Sequence, residues 1–476
     1  MLFSSLEFVL GFLPLVVALA AALRRMGLQR FVPGFLLLAS LVFYGWHVPA
    51  YILLICGSIA ANYVFGLLLH RSRSAALLAT GIGFNLLLLG WYKYAGFLAA
   101  NVGALAGLHL PLPEIVLPLA ISFFTFQQIA YLVDVRIGEA DPHRLIDYAL
   151  FVAFFPQLIA GPIVHHKELV PAFRTPRFAR FDAQDVMAGL FLFGIGLGKK
   201  VLIADPLRAL ADPAFEAAAL GVAPSTLEAW IGALAYGFQI YFDFSGYSDM
   251  ALGLGRLFGV YLPQNFASPY RAPSIIEFWR RWHMTLSRFL RDYLYLPLGG
   301  NRRGPWRRHL NLMLVMLLGG LWHGANWTFV VWGGLHGLFL AVNHAWRHVA
   351  GSRIALPRPF PVLLTFLCAT IAWVFFRAGS LDQALLVLQA MAGHSPAPSW
   401  SAALLPPLLR DLPYLLLAAV LAFACPNALE LLGRIETPDA APARRGRALL
   451  GMGVVSALSV CAVFATGTYE FLYFQF

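Results

Sequence analysis

Long apolar stretches separated by short polar ones run along the whole 476-residue chain. A bilayer core is about 30 Å thick, so a spanning helix takes about 20 mostly apolar residues. Stretches of that kind fall at 7–23, 32–46, 48–69, 75–100, 115–133, 145–163, 186–207, 227–250, 310–325, 327–346, 360–377, 411–430 and 448–467. With some of them re-entrant, roughly 11 true spans are expected. The pattern predicts an all-α polytopic membrane protein that forms a single membrane domain over 1–476, with no room for a soluble domain larger than a long loop.

Composition agrees. Hydrophobic residues make up 60% of the chain and charged residues 12%, against about 25% charged in soluble domains. Several soluble domains would each need a polar shell that is missing here. Disorder and a secreted disulfide scaffold are excluded by the same figures. Cys56, Cys368, Cys425 and Cys461 are scattered, with no CxxC and no metal spacing, and read as small core hydrophobes.

Charge sets the expected topology. Met1–Phe8 holds no Lys or Arg, while Arg24 and Arg25 follow the first apolar run. That order is the reverse of a cleaved signal, despite the A-x-A at Ala18–Ala20. The positive-inside rule then places the N-terminus outside and Arg24–Arg30, Arg71, Arg73 and Arg136–Arg144 in the cytoplasm. The stretch 145–163 breaks this alternation, because basic residues flank it on both sides and Pro156, Gly161 and Pro162 interrupt it. It reads as re-entrant from the cytoplasm, or as a kinked helix that crosses. His165 and His166 fall in the basic loop that follows and are expected to be solvated.

The net charge is +11, and most of it sits in one place. Segment 264–311 has nine arginines against Glu277 and Asp292, a net +7, which marks it as cytoplasmic. Within it, Ile275–Leu296 reads as one basic, aromatic, amphipathic helix. Phe278, Trp282, Thr285 and Phe289 form one face, and Trp279, His283, Leu286 and Leu290 the adjoining one. Such a helix anchors on anionic lipid. It could also dock a phosphate-bearing cofactor, since Arg forks bind phosphate bidentately. So apolar a strip argues against nucleic acid.

Ionisable groups at membrane depth point to function. The sharpest is His323, in Gly319-Gly320-Leu321-Trp322-His323-Gly324-Ala325-Asn326. Flanking glycines allow close approach of backbone or substrate, and Asn326, one turn on, could orient the imidazole. A neutral imidazole there can take a proton from a hydroxyl and return it to a leaving group, as acyl transfer requires. A buried structural histidine fits the spacing as well. His336 repeats the Gly-flanked pattern and reads as packing or polar glue. His344 and His348 read as helix-end residues. Asp243 and Asp249 lie six apart on different helical faces, so they form no acid/base dyad. No nucleophile elbow, HExxH or phosphate loop is present in the sequence. The final Phe471-Leu472-Tyr473-Phe474-Gln475-Phe476 reads as an aromatic belt anchor on the outer side, or as a phenol available for acylation.

Taken together, Phe242–Asp249, Glu277–His283, Arg291-Asp292-Tyr293 and Gly319–Asn326 resemble the membrane-bound O-acyltransferases, and among them the bacterial alginate O-acetyltransferase type. The resemblance covers essentially the whole chain. It implies a helical membrane fold around a central tunnel, with re-entrant and amphipathic helices at a cytoplasmic funnel. His323 matches the family's essential histidine, and His283 matches a second histidine lining the cytoplasmic entrance. Trp322, Asn326, His336 and Asp243 are implied as supporting residues. Trp279, Arg280, Arg281, Trp282, Arg288 and Arg291 would flank the donor's phosphates. The implied donor is acetyl-CoA or a carrier-bound acetyl thioester, with no permanently bound cofactor and no metal.

The tail resembles the F-x-Y-x-x-F end of the small partner peptide in lipoteichoic acid D-alanylation, which implies that Tyr473 relays the acyl group outward. An extracytoplasmic SGNH hydrolase-like transferase, polysaccharide export machinery and membrane lipids are the implied partners. The implied location is the bacterial inner membrane, both termini periplasmic. Alginate, cellulose, peptidoglycan or another exported glycan would be the acceptor. A transporter or flippase of an acyl or glycan precursor, and a lipid acyltransferase working within the leaflet, are the competing readings.

Overall fold

The computed structural model describes residues 1–108, 111–113, 115–302, 304–350, 357, 359–395, 405–437, 442–467, 469, 471 and 472. Every regular element among them is helical, as the apolar pattern requires: in lipid a helix satisfies its own backbone. Among the described residues, six helices are long and apolar enough to cross a membrane: Glu7–Arg25, Ala50–Ser72, Ala75–Ala106, Ala183–Ala219, Pro359–Arg377 and Ala448–Ala465. The bent pair Arg410–Phe423 and Ala428–Glu436 raises the number to seven. Roughly 11 were expected. The gap comes from helices such as Thr226–Leu257, Gly304–His323 and Trp327–Ala350, which have the length but carry polar residues, and from shorter ones such as Val32–Tyr44.

The chain divides into two compact units. The first comprises Met1–Leu197, Tyr247–Pro263 and Ala441–Glu470. Its basic loops meet one another. Arg24 donates to the carbonyls of Phe178 and Pro176 at 2.7 and 2.6 Å. Arg73 donates to the Val135 carbonyl. Lys167 lies 3.1 Å from Asp134, and Arg174 pairs with Asp147 at 2.6 Å. Four loops that the charge pattern put on one side are thus tied together within this unit.

His166 is not solvated as expected. It is buried, with Nε2 3.0 Å from Asp134 Oδ2 and Nδ1 3.1 Å from His143 Nε2. The segment 145–163 forms a nine-residue helix, Leu145–Ala153, and a single turn, Phe155–Leu158. Nine residues rise only about 14 Å, less than half a bilayer core. From Asp147 to Ile163 the segment is buried, which satisfies the condition for broken backbone at membrane depth.

The second unit comprises Gly198–Gly246, Gln264–Ala440 and Phe471–Phe476. Its centre is a stack of fully buried indoles: Trp373 lies 4.8 Å from Trp282 and 5.8 Å from Trp332. Against them packs a helical hairpin, Gly304–His323 and Trp327–Ala350. Its arms touch backbone to backbone. A Cβ on Gly320 would lie 2.2 Å from the Phe329 carbonyl oxygen, and one on Gly333 2.2 Å from that of Met316. Small residues at such crossings let van der Waals packing hold membrane helices together. Gly320→Ala and Gly333→Ala are each expected to destabilise the fold by ~1–3 kcal/mol, read as a lowered thermal midpoint in detergent. Gly334→Ala, whose Cβ meets only the end of Leu317 at 3.5 Å, should leave it unchanged.

The expected single amphipathic helix over Ile275–Leu296 is in fact three pieces: Ile275–Trp279, Met284–Leu290 and a π-helical turn, Arg291–Tyr295. The break falls at His283, whose φ of 43° lies in the left-handed region. Asn265 imposes it from 18 residues upstream. Its carbonyl accepts the Met284 N–H at 3.0 Å, and its side-chain oxygen accepts the Thr285 N–H and hydroxyl. The strip is also more than an interfacial anchor: Phe278, Trp282, Thr285 and Phe289, the first predicted face, are all buried in protein.

Candidate active site

The helix Gly304–His323 turns one stripe toward a cavity of about 370 Å³. Arg308, Leu312, Val315, Met316, Gly319 and His323 follow one another down its wall, at the three- and four-residue steps that share a helical face. Fifteen residues at 1.5 Å each put Arg308 and His323 about 22 Å apart along that axis. The cavity therefore runs from a basic, polar region, where Arg280, Arg291, Tyr295, Asn301 and His344 also line it, to a histidine set among aromatic rings. Between them the wall is apolar.

His323 ends its helix and is 3% exposed. Trp322, Trp332 and Phe376 lie edge-on to its ring at 5.0, 5.1 and 5.3 Å. Such a surround excludes water, which strengthens any charge interaction formed inside it. The His283 ring is the next neighbour, with centroids 6.3 Å apart.

His283 is fully buried, and the described residues that line the cavity do not include it. Its Nδ1 lies 3.1 Å from Asn265 Oδ1. That atom is fixed as the oxygen, because a backbone N–H, that of Thr285, donates to it. His283 Nδ1 must therefore carry the proton, leaving Nε2 with a lone pair. Burial pushes the group down to about 3, so it stays neutral.

The other expected site residues divide. Trp279, Arg280 and Arg291 line the cavity, the arginines held by Glu277 and Asp292 at 2.6 and 2.7 Å. Arg281, Arg288 and Trp282 are not among the lining residues. Arg281 faces Glu277 at 3.9 Å, and Trp282 belongs to the indole stack. Asn326 does not orient His323. Its Nδ2 donates to the Gly379 carbonyl at 2.8 Å, and its Oδ1 caps the next helix by accepting the Thr328 N–H at 3.1 Å.

His336 is fully buried behind the wall. It accepts the Trp279 indole N–H on Nδ1 at 3.3 Å and lies edge-on to Trp332 at 4.8 Å. It thus braces two rings that do line the cavity. Asp243 is buried and pairs with Lys200 at 2.7 Å. Tyr473 lies outside the described residues, but Leu472, just before it, donates its N–H to Asp243 Oδ2 at 2.9 Å.

Arg308, Tyr295, Asn301, Trp332 and Lys200 were not singled out from the sequence, and His344, read there as a helix-end residue, lines the cavity. Lys200 carried a signal: a Lys-Lys pair sits inside the apolar stretch 186–207. Arg308 and His344 carried none beyond their charge, because only the packed hairpin brings them to one cavity.

Comparison with known proteins bears on this arrangement. Residues 138–379 match the family model for the membrane-bound O-acyltransferase family. The chain is 44% identical over 424 residues to the peptidoglycan O-acetyltransferase of Helicobacter pylori, covering 83% of this chain and 80% of that protein. It is 44% identical over 403 residues to the probable alginate O-acetylase AlgI of Pseudomonas aeruginosa, covering 82% and 75%. A teichoic acid D-alanyltransferase of Streptococcus thermophilus is 29% identical over 239 residues, 48% of this chain and 57% of that protein.

Proposed function

The chain belongs to the membrane-bound O-acyltransferase family and is a multi-pass membrane O-acyltransferase; from that premise we propose that it moves acetyl groups from a cytoplasmic thioester toward a glycan outside the cell. One observation carries this reading. A single cavity joins the basic region around Arg308 to His323, the length and polarity expected for a phosphate-bearing carrier with a reactive thioester at its far tip. Relatives named for acetylating alginate and peptidoglycan support an exported glycan as acceptor. The concentration of arginine in 264–311 supports a cytoplasmic donor side, and so an inner-membrane protein with periplasmic termini. Transfer onward would fall to an extracytoplasmic transferase of SGNH hydrolase-like type working with the polysaccharide machinery.

The chemistry follows from the residues. Arg280, Arg291 and Arg308 bind the donor's phosphates. The apolar wall from Leu312 to Gly319 takes the slender thioester arm. His323 accepts the proton of the attacking hydroxyl, that of Tyr473, as its oxygen adds to the thioester carbonyl. The carbon–sulfur bond then breaks, and the imidazolium returns the proton to the departing thiolate. The acetyl group leaves the site as a phenyl ester on the tail.

Incubating the reconstituted protein with radiolabelled acetyl-CoA, or with an acetylated carrier protein, tests the proposal. Covalent label on the chain with one of the two identifies the donor, and no label with either would overturn the reading. Arg291→Gln and Arg308→Gln, made singly, are each expected to raise the donor KM ~10–100-fold, the range set by losing one charge-assisted hydrogen bond. Because both residues lie far from the reacting carbon, kcat should change little. A fall in kcat at unchanged KM would remove them from the donor site.

A further inference from the structure

A lysine buried in a membrane bundle is expensive unless it is paired. Lys200, 2% exposed at its side chain, lies 2.7 Å from Asp205 Oδ1 and 2.7 Å from Asp243 Oδ1. The acyl-transfer chemistry above uses none of the three. The same cluster meets the end of the chain. The Phe471 ring, 1% exposed, lies 4.8 Å from Lys200 Nζ, within cation–π range. Asp243 Oδ2, the oxygen opposite the one facing Lys200, accepts the Leu472 N–H at 2.9 Å.

We propose that Lys200, Asp205 and Asp243 form a docking site for the C-terminal segment. It reads an aromatic side chain followed by a residue with a free backbone N–H, and so fixes the register of the residue after Leu472. The importance of that register rests on the relay reading of Tyr473, but the dock does not.

The ion pairs orient both readers. Asp205 and Asp243 hold the ammonium where a ring can cover it, and Lys200 turns one Asp243 oxygen inward so that the other faces the tail. The helix that carries Asp243 also carries Phe244, edge-on to His283 at 4.8 Å. One helical turn thus supports both the tail and the ring next to His323. All three are positioning residues, and none lines the donor cavity.

The test uses the full chain in detergent. Hydrogen exchange at the Leu472 amide reads docking, and acetyl label on Tyr473 reads its consequence. Phe471→Ala alters only the tail, so it leaves the buried ion cluster intact. Asp243→Ala alters the receiving side. Both are expected to speed exchange at Leu472 at least tenfold and to lower kcat about tenfold at unchanged donor KM, the ratio of docked to free tail that a lost charge-assisted contact implies. Phe471→Tyr, which keeps a ring over Lys200, is expected to restore both. Equally slow exchange in wild type and Phe471→Ala, or a fully exchanged Leu472 in wild type, would overturn the dock. Faster exchange in both variants with wild-type glycan acetylation would uphold the dock and sink the relay.

Discussion

A His323→Ala chain is expected to fold, bind donor and transfer acetyl groups roughly 10²–10⁴-fold more slowly than wild type, the usual loss when a positioned acid–base group is removed. The expectation rests on where the ring sits. It closes the far end of a cavity whose other end is lined by arginines, and it is the ionisable side chain that the cavity reaches among Trp322, Trp332 and Phe376. Water cannot stand in for it there. Alanine also leaves a hole in an aromatic wall, so His323→Gln, which fills the space and keeps hydrogen-bonding atoms, separates lost chemistry from lost packing. Both variants should show wild-type donor KM and a near-identical collapse of kcat. Full polymer acetylation by His323→Ala at equal expression would remove the histidine from the reaction.

Tyr473→Phe is expected to abolish covalent acetyl label on the chain and to reduce acetylation of the glycan to background. The substitution deletes one oxygen and keeps the aromatic ring, so Phe471 and Leu472 remain free to bind at Lys200 and Asp243. Thioester consumption should fall with it, since the attacking group is gone. Label that survives in Tyr473→Phe would move the acceptor to another hydroxyl. Unchanged glycan acetylation would mean that the acceptor sugar meets the thioester directly, with the tail left as an anchor.

Much of this was legible from residue order. The helical, lipid-facing character follows from apolar runs of bilayer length, and His323 stood out because glycines flank it on both sides. The charge pattern grouped the basic segments, and Arg24, Arg73, Lys167 and Arg174 reach partners in a neighbouring loop or near a helix end of the same unit. What was lost came from distant contacts. A helical period runs without interruption through Ile275–Leu296, and nothing local announces that Asn265 will break it at His283. Asn326 stands one turn from His323 in sequence, yet the chain bends at Gly324 and its side chain is taken by Gly379 and Thr328. Asp243 was visible as a carboxylate in an aromatic run. Its partner Lys200 is 43 residues away, and its other partner is a backbone N–H, which no side-chain pattern reveals.

The Gly320–Gly333 contact has a mechanical consequence. Two helices that touch through their backbones cannot slide or roll without driving a carbonyl oxygen of one into a glycine of the other, so the hairpin bearing Arg308 and His323 is a stiff ruler with two fixed marks. The opposite side of the cavity is the strip from Ile276 to Tyr295, jointed at His283 and again at its π-helical turn. Any widening of the cavity falls on those joints. On the proposed reading, the spacing between phosphate grip and proton acceptor is then held by the hairpin, and arm length is the donor property that the site gauges.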